Sequence, residues 1–274
     1  MKRSTRREIA KDTLKSLKQG YYLNGQGKTI GLKSKHKFST QNTEFFLGDD
    51  LDNLLEELND EKAFKTAYEV TGESTLAAIL RLQAEHENLL TLNFASAKNP
   101  GGGFLNGSQA QEESLARSSG LYPCLLNAEK YYMLHRKIKS PFYTDNMIYS
   151  PMVPVFKNDE GKYLDELAFT SFITSPAVNA GVVRRQQPEH EGKIEGAMKT
   201  RIKKVLALSK SKGHSILILG AWGCGVFENE PEMIARLFHE VLETKFSGTF
   251  EKVVFAIYSK DEKYSEPFKS LFLS

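Results

Sequence analysis

Pro100-Gly101-Gly102-Gly103-Phe104-Leu105-Asn106-Gly107-Ser108-Gln109-Ala110-Gln111-Glu112-Glu113 is the stretch on which the reading of this 274-residue chain turns. Three consecutive glycines let the backbone approach a ligand closely and adopt φ > 0. A short spacer leads to Gln111 and two adjacent carboxylates. The apolar run Leu89 to Phe94 just before it reads as a strand. The glycines therefore lie past a strand's carboxyl end, where ligands of open α/β sheets sit.

A second glycine cluster, Gly220-Ala221-Trp222-Gly223-Cys224-Gly225-Val226-Phe227, has the same setting. It follows Ile216-Leu217-Ile218-Leu219, apolar without alternation as in a buried parallel strand. A helix with Pro231 in its first turn comes next. Backbone N–H groups in such loops, together with a helix N-terminus, favour phosphate oxygens. Either cluster alone reads as a tight turn. Both together, with a carboxylate pair nearby, suit cleavage of a glycosidic bond beside a pyrophosphate.

Near the start of the chain, Thr5 to Lys18 reads as a helix with Ile9, Leu14 and Leu17 as its apolar positions. Tyr21-Tyr22-Leu23, Asn24-Gly25 and Thr29-Ile30 predict a hairpin with φ > 0 at the Asn-Gly turn. Tyr68 to Thr71 reads as a short strand, and Ser74 as the cap of a helix over Thr75 to Glu85. Ser108 and Gln111 fit a capping box at the start of a helix bearing the carboxylates. Met147 to Phe156 and Ala168 to Thr174 read as strands, the first bent or at an edge because of Pro151 and Pro154. A long helix carries Ile194, Met198, Ile202 and Val205 on one face, and Val253 to Ile257 is a last buried strand. This alternation predicts an α/β fold with a mostly parallel sheet flanked by helices. No internal repeat or low-complexity linker interrupts it.

Hydrophobic content of 40% and charged content of 26% are ordinary for a soluble globular chain. The net charge of +3 is small, so nucleic acid is not implied. The denser basic start, Lys2, Arg3, Arg6 and Arg7, reads as a solvated helix face. No run of about 18 apolar residues exists, so no membrane span is expected, and no secretory signal is visible. Cys124 and Cys224 make neither a disulfide framework nor a zinc site, so a reducing, cytoplasmic compartment is the expectation. The six histidines lack metal-ligand spacing, so no metal or other cofactor is expected. A Rossmann fingerprint fails because Gly223-Cys224-Gly225-Val226-Phe227-Glu228 lacks the third glycine. No Walker-type lysine or serine nucleophile elbow occurs either.

The triple glycine followed by Gln-Glu-Glu resembles the signature loop of poly(ADP-ribose) glycohydrolases, built on the macrodomain fold. Asn93-Phe94-Ala95-Ser96-Ala97-Lys98-Asn99-Pro100 is similar to the lead-in of the bacterial type. Gly220 to Phe227 resembles the family's second phosphate loop, and Arg6-Arg7-Glu8-Ile9-Ala10 its helical extension. The resemblance implies one macrodomain-like domain over 1–274, with an N-terminal helical accessory region (1–65) and a macrodomain core (66–274). It implies a ribose–ribose glycosidase that removes ADP-ribose from polymer ends, since no region matches the tyrosine-bearing adenine platform of the animal enzymes. Glu113 is implied as the group acting first as acid and then as base, and Glu112 as a positioner of the ribose. Asn99, Gly101, Gly102, Gly103, Gln111, Gly223, Cys224, Gly225, Val226 and Phe227 are the expected ligand-binding residues.

The residues themselves bear on those roles. Opposed glycosidase carboxylates stand at least about 5 Å apart on either side of the sugar. Adjacent side chains on a helix diverge by about 100°, so Glu112 and Glu113 do not form such a pair. A helix N-terminus lowers a carboxyl pKa by less than one unit, whereas desolvation raises it by up to about 3–5. Glu113 is thus expected to become an acid once substrate covers it. Cys224 reads as a small buried residue, and Glu228, Glu230 and Glu232 as solvated carboxylates. Two other readings stay open: a hydrolase of single ADP-ribose units on protein or nucleic acid, and a non-catalytic ADP-ribose reader. The intact carboxylate pair speaks against the reader. The expected partner is ADP-ribose or its polymer, attached to protein, and the sequence leaves delivery into a host cell open.

Overall fold

The predicted alternation closes into one seven-stranded sheet in the computed structural model, which describes residues 1–58 and 62–273. The first half of the chain gives α1 (Arg3–Gln19), β1 (Tyr21–Leu23), β2 (Thr29–Gly31), α2 (Lys33–Gln41), β3 (Glu44–Phe46), α3 (Gly48–Glu57), β4 (Ala67–Thr71), α4 (Thr75–Leu82) and β5 (Leu89–Phe94). Then come α5 (Gln111–Ser118), α6 (Leu121–Asn127), α7 (Glu129–Lys137), β6 (Met147–Lys157), β7 (Tyr163–Ser175) and α8 (Ala180–Gln186). The last elements are α9 (Ile194–Ser211), β8 (Ile216–Leu219), α10 (Pro231–Glu243), β9 (Lys252–Ala256) and α11 (Glu266–Phe272). Strand order is β3-β6-β7-β5-β8-β9-β4. Pairing is parallel from β7 to β4 and antiparallel for β3-β6 and β6-β7.

The unbroken apolar runs have a simple cause: helices cover both faces of the sheet. On β8, Leu217 and Leu219 join the core with Met198, Ile202, Ile234 and Phe238, while Ile216 and Ile218 join Leu76, Ile79, Leu115 and Leu125 on the other face. Successive strand side chains point to opposite faces, so a strand buried twice has no polar position. Among the described residues no helix is long and apolar enough to cross a membrane.

Of the first 65 residues, α1 packs beside α5, the β1-β2 hairpin and α2 follow, and β3 forms an edge of the sheet. Asn59–Glu61 of that stretch and Ser274 at the other end lie outside the described residues. The buried Lys157 ammonium ties α1 down, donating to Asp12 Oδ2 and Thr13 Oγ1 at 2.9 Å each.

Two local expectations need revision, and a third, the bend at Pro151, holds. The hairpin loop spans residues 24–28, and its positive φ (+77°) falls on Gly27, because Asn24 Oδ1 accepts from the amides of Gln26 and Lys28. The capping box does not form: Ala110 is the N-cap of α5, and the Gln111 amide turns instead to β5. β6 is bent where Pro151 falls, with a register shift between Ser150 and Val153 and φ +47° at Met152. It is interior only over Met147–Tyr149, where β3 covers it, so the prolines occupy a stretch without a strand on that side.

Candidate active site

β5 delivers the chain to the glycine turn at the carboxyl end of the parallel strands. Gly101 and Gly102 have φ of +67° and +58°, a region that favours glycine. The Gly102 amide closes the turn onto Asn99 O at 3.0 Å, and Asn99 itself is exposed. A Cβ on Gly102 would overlap the Glu113 carboxylate and stand 3.2 Å from Glu112 Oε2. The bare backbone thus passes directly over both acids.

The two carboxylates differ sharply in setting. Glu113 is half-buried, and its Oε1 accepts from the Gly103 amide at 2.9 Å. Its Oε2 makes no hydrogen bond among the described residues. Glu112 is 2% exposed, with Oε2 accepting from Ser96 N (2.7 Å) and Oε1 from Asn93 Nδ2 (3.3 Å). Burial pushes the Glu112 carboxyl up to about 8; the neighbouring Glu113 charge adds to this, and the bonds from Ser96 and Asn93 oppose it. Glu112 therefore keeps its proton at neutral pH. Burial outweighs the helix N-terminus here without any ligand, and at the first carboxylate.

Gln111 clamps α5 to the strand end. Its Oε1 accepts from Phe94 N (2.9 Å), and its Nε2 donates to Leu92 O (2.8 Å) and Thr75 Oγ1 (3.3 Å). The spacer between glycines and acids is held by three guanidinium groups on three successive carbonyls. Arg3 Nε donates to Asn106 O (2.9 Å), Arg6 Nε to Gly107 O (2.7 Å) and Arg117 Nη1 to Ser108 O (2.7 Å).

The second loop, Gly220 to Phe227, leaves β8 and enters α10. Gly223 has φ +76°, and a Cβ there would press on Ala177 and Asn229. Gly225 has open space around it, Val226 is 80% exposed, and Phe227 stands 6.0 Å from the Tyr143 ring. Cys224 is buried, and burial pushes its thiol up, so it is no ready thiolate. The two loops face each other across a cavity of about 840 Å³. One wall carries Asn99, Gly102, Gly103, Gln111, Glu112 and Glu113; the other carries Gly223, Gly225, Val226 and Phe227. A second cavity of about 390 Å³ adjoins it at Gln109 to Gln111 and Gly225, and is lined by Thr75, Phe94, Cys224, Ile257 and Tyr258.

Residues 10–158 match the family described as microbial-type PARG, catalytic domain, where PARG is poly(ADP-ribose) glycohydrolase. The chain belongs to the microbial-type PARG family. Poly(ADP-ribose) glycohydrolase from Thermomonospora curvata is 39% identical, with 98% of this chain and 100% of that chain covered and a TM-score of 0.94. The same enzyme bound to the inhibitor ADP-HPD superposes with a TM-score of 0.90 at 39% identity over 98% of each chain. The Deinococcus radiodurans enzyme in complex with ADP-ribose is 42% identical over 88% of this chain and 98% of that chain, with a TM-score of 0.84. No curated protein sequence matches the chain.

In this PARG-family cleft, three contributors escaped the sequence reading. Asn93 lies on a run already noticed, but only the sheet register turns its amide toward Glu112 and Thr174. Tyr143 carries a strained φ of +57° and packs toward Phe227 from a loop without any local signal. Arg117, 5% exposed, sits one helical turn beyond Glu113 and looks like any helix arginine in the sequence. Glu228 and Glu230 pair with Arg185 (3.0 Å) and Arg184 (2.9 Å), outside the cleft wall.

Proposed function

We propose that this chain hydrolyses the ribose–ribose O-glycosidic bond of poly(ADP-ribose) and releases ADP-ribose from the polymer end. One observation carries the reading: Glu113 has one oxygen anchored on Gly103 N and the other unbonded in a cleft walled by two glycine loops. The backbone amides of those loops offer donors to a diphosphate. The adjoining cavity, with Phe94, Ile257 and Tyr258, offers an apolar wall to the adenosine end. The exo mode rests on the bacterial-type resemblance of the motifs.

In this reading Glu113 gives its proton to the departing ribose oxygen as the bond to the anomeric carbon breaks. The substrate's diphosphate, held by the loops, faces the oxocarbenium-like centre and offsets its charge. Glu113 then takes a proton from water as the water oxygen attacks that carbon, and the acid is restored. Glu112, buried and neutral, positions a ribose hydroxyl without adding a second negative charge. Asn99, Val226 and Phe227 border the distal ribose. Gln111 contributes by fixing α5 against β5. The unpaired thiols of Cys124 and Cys224 fit a reducing, cytoplasmic setting, where protein-attached polymer is the substrate.

The test is release of ADP-ribose from polymer, from mono-ADP-ribosylated protein and from ADP-ribosylated DNA. Rapid release of monomer from polymer is expected. Release from either single-unit substrate in preference to polymer would assign the cleft to mono-ADP-ribosyl hydrolysis.

A further inference from the structure

The start of α1 is basic and lies against the signature loop. Lys2, Arg3, Arg6, Arg7 and Lys11 are accompanied by a single acid in the first eleven residues, Glu8, which pairs with Lys11 at 2.9 Å. Arg3 and Arg6 hold the carbonyls of Asn106 and Gly107. The Arg7 stem crosses Gly107, with its Cγ 2.9 Å from where a Cβ would stand. Lys2, Arg3 and Arg7 are exposed.

This patch is close to the chemistry. Asn106 lines the cleft, and it lies three residues from Gly103, whose amide holds Glu113. Three residues span at most about 11 Å. On the same turn Leu105, 43% exposed, directly precedes Asn106 and Gly107, whose carbonyls Arg3 and Arg6 hold. The nearby carboxylates are mostly engaged: Asp12 binds Lys157, and Asp159 accepts from Ser74 Oγ.

We propose that Lys2, Arg7 and Leu105 form a subsite for the polymer unit on the leaving side of the scissile bond. Each such unit brings two phosphate charges and one adenine. The cations meet the phosphates, and Leu105 meets the base. In the exo-acting reading the cleft between the glycine loops holds the terminal unit, and the rest of the chain passes over the wall beside Glu113. This inference rests on the polymer-cleaving reading.

The test is a Lys2→Glu/Arg7→Glu variant, which leaves the loop-holding Arg3 and Arg6 in place. The kcat/KM on long polymer is expected to fall roughly three- to tenfold at low salt, through KM, with the deficit shrinking as salt rises. Affinity for free ADP-ribose and the melting temperature are expected to match wild type. Leu105→Ser is expected to raise KM for polymer with little salt dependence. In wild type, single-stranded DNA of similar charge is expected to compete more weakly than polymer carrying the same number of phosphates. Unchanged KM in the charge-reversed variant, or a parallel loss of ADP-ribose affinity, overturns the subsite. DNA competing as well as polymer also overturns it, assigning the patch to nucleic acid. Wild-type enzyme inert on polymer would instead sink the functional reading beneath it.

Discussion

The Gly103 amide donates to Glu113 Oε1 at 2.9 Å, so the glycine turn and the carboxylate form one unit. The left-handed backbone of Gly101 and Gly102 aims that amide at the acid rather than at solvent. One carboxyl oxygen is thereby fixed while the other makes no hydrogen bond among the described residues.

Glu113→Gln keeps an acceptor for Gly103 N but removes proton transfer. Loss of one general acid–base group costs about 10²–10⁴ in rate, and in the proposed mechanism one group serves both half-steps. Single-turnover release of ADP-ribose from polymer is expected to fall toward the upper end of that range, with ADP-ribose affinity nearly unchanged. Retention of more than about a tenth of the wild-type rate would show that another group transfers the proton.

Glu112 makes stability depend on pH. Its folded pKa, about 8, lies above the ordinary value of 4.5, so the native state binds the proton more tightly than the unfolded chain. That contribution is fully present below the unfolded pKa and is lost as pH rises through the folded one. Between about pH 5 and 8 the slope reaches about 1.4 kcal/mol per pH unit. Glu112→Gln has no proton to lose and is expected to lack this decline. Denaturant unfolding of both proteins across that range checks it; parallel profiles would mean that Glu112 is ionised in the native state. The same variant is expected to lose less turnover than Glu113→Gln and to show part of its defect in binding.

The glycines separate by geometry. Gly225 has no atom within 4 Å of an added Cβ and no positive φ, so only a ligand would meet a side chain there. Gly225→Ala is expected to melt at or slightly above the wild-type temperature, because it restricts the unfolded chain. Its ADP-ribose affinity, measured by calorimetry with a chelator present, is expected to fall at least severalfold. Gly102→Ala meets Glu113 and a left-handed backbone that costs about 1–2 kcal/mol. It is expected to lose stability and turnover together. Equal affinity of Gly225→Ala and wild type would place the phosphates away from that loop.

Much of this was legible because it is local. The apolar run of Leu89 to Phe94, the Ser74 cap bonded to Ala77 N, and Pro231 at the start of α10 each depend on neighbours in sequence. The glycine clusters were legible for the same reason. What stayed hidden depends on register and distance. Gln111 matched a capping box, yet its amide satisfies β5 backbone groups 17 and 19 residues away. The raised pKa belongs to Glu112 because α5 turns it inward beneath Ser96 and Asn93, and adjacent residues in a sequence carry no sign of which one faces the core. Tyr143 reaches the cleft through a strained loop whose conformation only the surrounding fold determines.

Arg117 is the last case, and it separates loop geometry from chemistry. Its guanidinium donates to Ser108 O (2.7 Å), Gln109 Oε1 (2.6 Å) and Ser114 Oγ (3.2 Å) while its backbone carbonyl accepts from Thr13. Burial pulls its pKa down to about 10, so it remains charged at neutral pH. Arg117→Met fills similar space but leaves the part-buried Ser108 O without its donor, which costs up to about 1 kcal/mol, the low end for an unsatisfied buried group. Ser108 in turn packs against Gly103, and a Cβ on Gly103 would overlap its hydroxyl. Slackening at Ser108 is therefore transmitted to the amide that holds Glu113. Arg117→Met is expected to lower the melting temperature and to reduce kcat on polymer by at least about tenfold, since small misplacements of a reacting group are that costly. ADP-ribose affinity is expected to change little, because the proposed diphosphate site lies between the glycine loops. Arg117→Lys keeps the charge but not the fork, so partial rescue of stability without recovery of kcat is the signature of positioning. Full recovery of kcat by lysine would show that only the charge matters.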